Sequence, residues 1–419
     1  MAERLGLSRE ISYVFWAMIG IEAAYGAYGG IWPLWIEALG APVSIVGLVL
    51  GSAGIFRLLV LAPSATLTER FDPRTLMLVS RCVAAVGLLG AALATHWTQL
   101  WVMVIATAIG EIVFPLSQNY LAARAGDHRV RAFTLVFNVG PAVAFALSPL
   151  AAGALIAQYG MRAAFFLALA FSLFSIGYFT RFSRRPPRTP HAARESSTYR
   201  EAFREPGVRL LLTLQFATIF ALALGISLLP NFLSDQRGIP AAVVAILGGI
   251  GSTGSVVFGL AVARSGRLQR FPLYGVIFAS IAAIVTLAVC AAVHWTPAIV
   301  VAFLGRGGLW SAWGLFIAAL GDIVTVERHR QRVFTLSEMI GGTAFFSAPM
   351  LAGLLYSVRP VAPLLVSIAL AVALLPVLVV GQRRLSAAHA ARERHADEAS
   401  RNRAVAALSD RPPPVAGDA

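Results

Sequence analysis

His128-Arg129-Val130-Arg131-Ala132-Phe133-Thr134-Leu135 returns as His329-Arg330-Gln331-Arg332-Val333-Phe334-Thr335-Leu336, with six of eight letters identical at an offset of 201 residues. His96-Trp97-Thr98 returns as His294-Trp295-Thr296 at an offset of 198. Ala65-Thr66-Leu67-Thr68-Glu69-Arg70-Phe71-Asp72 is echoed by Gly259-Leu260-Ala261-Val262-Ala263-Arg264-Ser265-Gly266 at an offset of 194. The order of the three echoes is kept. A repeat of roughly 200 residues is too long for a solenoid or propeller unit and marks a duplicated domain.

Working outward from these echoes, hydrophobic residues make up 58% of the chain and charged residues 13%, with a mean hydropathy of +0.75. A soluble domain does not carry that composition, so the chain is read as an integral membrane protein. Apolar stretches long enough to cross about 30 Å of hydrocarbon occur at 12–37, 43–64, 75–95, 98–122, 133–158, 162–182, 208–233, 241–262, 272–293, 297–322, 334–357 and 361–381. Six fall in each half. Their length and their Ala, Leu, Gly and Phe content predict helices instead of the short alternating strands of an outer-membrane barrel. The first span is too long for a signal-peptide core and is expected to remain as a membrane helix.

All 34 basic residues are arginine. With the amino terminus inside, the tails and the loops on that side hold 28 of them, the spans hold Arg57, Arg81 and Arg306, and the opposite loops hold Arg162, Arg237 and Arg359. The positive-inside rule then puts both termini in the cytoplasm of a bacterial inner-membrane protein. The net charge of +14 coats the inner face beside anionic headgroups, so nucleic acid is not an expected partner. Cys82 and Cys290 sit inside spans without metal-like spacing and read as small core residues; neither a disulfide, a metal nor a cofactor is expected.

The chain divides into a first six-helix half (1–182), a cytoplasmic linker (183–207), a second half (208–382) and an unfolded, cytoplasmic tail (383–419). The linker carries a run of arginines with Pro186-Pro187 and Pro190, and its later part, Thr198 to Glu205, is expected to lie as a short helix on the membrane surface.

Two six-helix halves joined by a long basic loop, with both termini inside, resemble the major facilitator superfamily, whose halves are related by an axis along the membrane normal. The loop between spans 2 and 3 is similar to the family pattern G-x-L-a-D-R-f-G-x-R through Ala65, Leu67, Glu69, Arg70, Phe71 and Arg74, and the second copy keeps Gly259, Arg264, Gly266 and Arg267. Such a tight turn places an acid and arginines at helix ends, where they can lock the cytoplasmic side; the plainer reading is a positive-inside loop. In span 5, Ala144-x-x-x-Ser148-Pro149-x-x-Ala152-Gly153 resembles the pattern of drug:proton antiporters, which implies export. Span 11 has Ala348-Pro349-Met350-Leu351-Ala352-Gly353 as well, so both copies also fit close backbone packing. The span 4 arginine of those antiporters is replaced by Ala106.

Charges deep in a membrane cost roughly 2.5–3.5 kcal/mol each on insertion scales and are usually functional. Glu22 falls in mid-span 1, Arg57 in span 2, Glu111 in span 4, Arg306 in span 10 and Glu338 in span 11, while Arg81 and Asp322 are placed to snorkel. The family resemblance implies that spans 1, 4, 7 and 10 line a central cavity. Helical spacing groups Glu111 with Pro115, Gln118 and Asn119, and Glu22 with Gly26, Gly29, Gly30 and Pro33. Trp310 and Trp313 follow Arg306 at i+4 and i+7, a face suited to an aromatic or anionic ligand and equally to ordinary packing. Glu22 with Arg57 can form a structural ion pair. Three deep carboxylates against two deep arginines leave one acid over, and Glu111 is the first candidate to carry a proton, with Glu22 and Glu338 behind it.

These features together predict a monomeric secondary transporter in which Arg306, Trp310, Trp313, Gln118, Asn119 and Arg57 contact a small organic molecule and Glu69, Arg70, Arg74, Arg264 and Arg267 form the gating loops. Proton-coupled export of drug-like or secondary-metabolite compounds is the first expectation, and uptake of an organic acid or sugar the second. Two other classes compete: a membrane enzyme, for which no HExxH or GxSxG motif occurs, and a receptor or scaffold that moves nothing. No Walker A motif is present to couple nucleotide hydrolysis.

Overall fold

In the computed structural model, the described residues are 8–61, 71–124, 135–182, 199–205, 207–323 and 327–409. They are almost entirely helical, as lipid demands of a chain whose backbone polar groups must be satisfied within each segment. The spans are α1 (Arg9–Gly29, continued by Trp32–Ala38), α2 (Val43–Leu61), α3 (Pro73–Leu93), α4 (Trp101–Gly110 and Val113–Arg124), α5 (Gly140–Tyr159) and α6 (Arg162–Phe179). The second half follows with α7 (Val208–Ile226, continued by Leu229–Arg237), α8 (Ala241–Arg264), α9 (Pro272–Ala292), α10 (Thr296–Ala302 and Gly308–Ile323), α11 (Glu327–Val358) and α12 (Ala362–Ser409).

Eleven of these segments, α2 through α12, are long and apolar enough to cross a membrane. The exception is α1, whose hydropathy is diluted by Glu22, Tyr13, Tyr25 and Tyr28, yet it packs along α5 and α6 as the twelfth helix of the bundle. Local signals set the ends. Proline stands in the first turn of α3, α9 and both continuation helices, where its missing N–H costs nothing. The Asp72 carboxylate accepts from the Thr75 amide at 3.1 Å to cap α3. Gly238, at φ 64°, closes the α7 continuation, with its amide bonded to Ser234 and that of Ile239 to Leu233.

The duplication read from the echoes is repeated in the packing. In the first half α1 lies on α5 and α6, α3 on α4 and α6, and α2 on α4; in the second, α7 lies on α11 and α12, α9 on α10 and α12, and α8 on α10. The halves meet through α2 against α11 and α5 against α8. Small residues permit both seams: a Cβ on Gly47 would stand 2.9 Å from Gly353 Cα, and one on Gly249 would stand 2.8 Å from the Ala146 carbonyl oxygen. The small-residue stretches of spans 5 and 11 are therefore packing surfaces in this fold.

Two expectations are corrected. Among the described residues, the expected unfolded tail is helical as far as Ser409, as a continuation of α12. That stretch is rich in Ala, Arg and Glu, all strong helix formers, and meets no proline until Pro412. Cys290 is buried, but Cys82 is exposed on the outer face of α3. The short linker helix forms at Tyr199–Arg204, with the Arg332 guanidinium 5.5 Å above the Tyr199 ring. The first copy of the eight-residue repeat lies outside the described residues as far as Thr134, while the second opens α11.

Candidate functional site

Four helices are interrupted near the middle of the bundle: α1 between Gly29 and Trp32, α4 between Gly110 and Val113, α7 between Ile226 and Leu229, and α10 by the 3-10 turn Phe303–Gly307. They are the first and fourth helices of each half. Pro33 and Pro230 begin the continuations of α1 and α7 in equivalent positions. Glu111 and Arg306 fall inside the interruptions of α4 and α10, so irregular backbone and intramembrane charge coincide, as expected where a chain lines a cavity.

Around Glu111 a polar ladder crosses the bundle. The Tyr25 hydroxyl of α1 donates to Glu111 Oε1 at 2.7 Å. Glu111 Oε2 is 3.4 Å from Arg57 Nε of α2, and Arg57 Nη2 is 3.6 Å from Glu338 Oε2 of α11. The ladder thus runs from α1 and α4 through α2 and across the seam into the second half. This corrects two expectations. Arg57 pairs with Glu111 and Glu338, not with Glu22, and Glu111 is not the acid without a guanidinium.

Glu22 has a different neighbour. Arg81, read from the sequence as a snorkelling residue, is buried to 2% exposure inside α3. It lies within electrostatic reach of Glu22, Tyr25 and Tyr28. Its Nη2 donates to Ser172 Oγ of α6 at 3.2 Å, and its Nε and Nη1 have no hydrogen-bond partner among the described residues. Gly110 makes room for it, since a Cβ there would stand 3.2 Å from Arg81 Nη1. Snorkelling fails because Arg81 faces α1, α4 and α6 and not the lipid. The charge count becomes three carboxylates, Glu22, Glu111 and Glu338, against two guanidiniums, Arg57 and Arg81. Tyr25, Arg81 and Ser172 were absent from the candidate residues; Tyr25 at i+3 from Glu22, and a charge in an otherwise apolar α3, were the available signals.

In the second half the expected grouping of Arg306 with the tryptophans is corrected. The 3-10 turn carries three residues per turn, which rotates Arg306 off the line that i+4 and i+7 spacing assumes. The guanidinium stands over the Phe303 ring at 5.7 Å and against Gly251 of α8. Trp310 instead stacks on Phe345 of α11 at 5.2 Å, and Trp313 meets the same ring at 5.2 Å from another angle. Gln118 is exposed. The side chain of Asn119 falls outside the described residues.

At the end of the bundle away from the termini the halves are joined by polar contacts. Asn231 of the α7 continuation is fully buried and donates to the Pro33 carbonyl at 3.4 Å and to Glu37 of the α1 continuation. Within the second half, Tyr356 of α11 donates to Asp235 of the α7 continuation at 2.7 Å. At the opposite end no hydrogen bond or ion pair joins the halves among the described residues. Of the gating-loop residues, Glu69 and Arg70 lie outside the described residues; Arg74 donates to the Thr180 carbonyl, capping α6 of its own half. Arg264 and Arg267 are exposed beside the short helix Gly266–Arg270.

A two-half helical bundle with interrupted first and fourth helices and charge at the interruptions has the features of a membrane transporter. Residues 14–320 match the model of the Major Facilitator Superfamily, and the chain belongs to that family. Among curated proteins none matches the sequence. Similar solved structures include the nucleoside transporter NupG (TM-score 0.71, 13% identity, covering 90% of this chain and 99% of that one). Others are the human organic anion transporter MFSD10 (0.62, 14%, 88% and 99%) and a bacterial homologue of the human lysosomal transporter Spinster (0.63, 17%, 92% and 96%). At these identities the likeness is one of fold.

Proposed function

We propose that this protein is a proton-coupled secondary transporter of a small organic molecule in a bacterial inner membrane, with both termini cytoplasmic. The carrying observation is the Tyr25–Glu111–Arg57–Glu338 ladder. Its Arg57–Glu338 rung joins the two halves, so rocking must break it. A carboxylate that loses its guanidinium in a low-dielectric interior takes up a proton or pays a large desolvation cost. In the cluster around the ladder Glu22, Glu111 and Glu338 face only Arg57 and Arg81, Arg306 standing apart from them, and the acid left over supplies the group that does so. Glu111, held at the interruption of α4 and linked to both halves through Arg57, is the proposed coupling acid; Glu338 and Glu22 are the alternatives.

Export is the direction we favour, on the span 5 pattern and the arginine-rich terminus-bearing side. The loop of Glu69, Arg70 and Arg74, with Arg264 and Arg267 in the second copy, is proposed to lock the cytoplasmic side. The test is flux in proteoliposomes across a panel of metabolites and drug-like compounds, with and without an imposed pH gradient. At least one compound should move, against its own gradient, only when protons flow the opposite way. Movement with the proton flow would reverse the direction, and flux indifferent to the pH gradient would remove the coupling.

A further inference from the structure

The three deep arginines are not equivalent. Arg57 holds two carboxylates and Arg81 lies within electrostatic reach of Glu22. Arg306 has no acid in ion-pair reach among the described residues; its surroundings are the Phe303 ring and the backbone of Gly251, and its Nε is buried without a partner. A half-buried cation without an anion is poorly compensated by one aromatic face. Its location is informative. Gly251 lies one turn along α8 from Gly248, where a Cβ would stand 3.5 Å from Gly30 Cα at the interruption of α1. Arg306 therefore sits close to where the halves meet in mid-bundle.

We propose that the transported molecule is an organic anion whose carboxylate, or equivalent acid group, is held by Arg306. A planar guanidinium left with open donors is suited to a carboxylate. The ligand supplies the negative charge that Arg306 lacks among its neighbours, so a neutral compound of the same shape leaves Arg306 uncompensated and binds less well. The inference rests on the transporter reading but not on proton coupling or direction.

Equilibrium binding of tritiated 2-naphthoate and of its primary amide, 2-naphthamide, to purified protein in nanodiscs without a gradient tests it. Wild-type protein should hold the naphthoate about ten- to a hundredfold more tightly than the amide, the range expected of a charged hydrogen-bonded contact. Arg306→Gln should abolish that preference, and Arg306→Lys should retain part of it. Because the cation is uncompensated in the empty protein, Arg306→Gln should unfold at an equal or higher temperature than wild type without ligand. Naphthoate and naphthamide binding equally, or not at all, overturns the proposal. So does an unchanged preference in Arg306→Gln, or a Tm lowered by several degrees, which would make Arg306 structural. Failure of pH-gradient-driven flux would count against coupling alone and leave this result standing.

Discussion

Adding one methyl group at Gly249 should move the transporter out of the conformation described here. Gly249 lies on α8 at the seam with α5, and a Cβ there would stand 2.8 Å from the Ala146 carbonyl oxygen, a backbone atom that cannot swing aside. Ordinary contact begins near 3.4 Å, so the seam must open by roughly 0.6 Å at that point. Overpacking of this kind costs about 1–2 kcal/mol. Since the seam loosens when the halves rock, the cost falls on the state sealed at the end away from the termini. The equilibrium should therefore shift about 5- to 30-fold toward the other state, at about 1.4 kcal/mol per factor of ten. The assay is the labelling rate of Ala245→Cys, a buried α8 position facing Gly30, by a polar maleimide in a background lacking Cys82 and Cys290. Gly249→Ala should raise that rate by the same factor. Gly259→Ala, on the same helix with open space around the added carbon, should leave it unchanged. A Gly249→Ala protein that remains monodisperse and labels at the wild-type rate would refute the assignment of this seam to the moving interface.

Removing the Tyr25 hydroxyl in Tyr25→Phe takes one donor from Glu111 and should slow transport by no more than about tenfold, near 1 kcal/mol for a hydrogen bond, with thermal stability almost intact; complete loss of folded protein would contradict it. Arg81→Met removes a buried cation within electrostatic reach of Glu22 and should lower thermal stability. The double variant Glu22→Gln/Arg81→Met should recover more than half of that loss in thermal unfolding, and simple additivity would show the two side chains to be uncoupled. Gly47→Ala places a Cβ 2.9 Å from Gly353 Cα across the α2–α11 seam and should lower thermal stability by about 1–3 kcal/mol; a wild-type unfolding temperature would mean that this seam is not tightly packed.

Much of the architecture was legible because it depends on quantities that a sequence carries additively. Apolar length defines spans, arginine placement defines sides, and the echo from His128 to His329 defines the duplication. The interruptions of α4 and α10 were not legible: Gly110-Glu111-Ile112 and Phe303-Leu304-Gly305-Arg306-Gly307 read as continuous apolar helix. Extrapolating ideal helical spacing through the second of these put Arg306 on the wrong face, beside Trp310 and Trp313. Partner choice among buried charges was equally hidden, since Glu22, Glu111 and Glu338 are interchangeable by composition and only packing decides which of them meets Arg57. Arg81 was misjudged for a related reason: distance from the helix end suggested snorkelling, whereas the room left by Gly110 and the hydroxyl of Ser172 hold it inside. The α12 extension was missed because polar, charged composition was equated with an unfolded chain, although Ala, Arg and Glu are also the residues that favour helix.

The measurement bearing most directly on the central claim compares wild type and Glu111→Gln in proteoliposomes at matched protein amounts, in two modes. One is substrate movement driven by an imposed pH gradient; the other is downhill exchange of labelled for unlabelled substrate without a gradient. The glutamine keeps the shape of Glu111 and can still accept from Tyr25, but it cannot release or take up a proton. The predicted result is loss of gradient-driven accumulation with exchange retained within a few-fold. Full gradient-driven accumulation in Glu111→Gln would contradict the assignment of the coupling proton to this carboxylate.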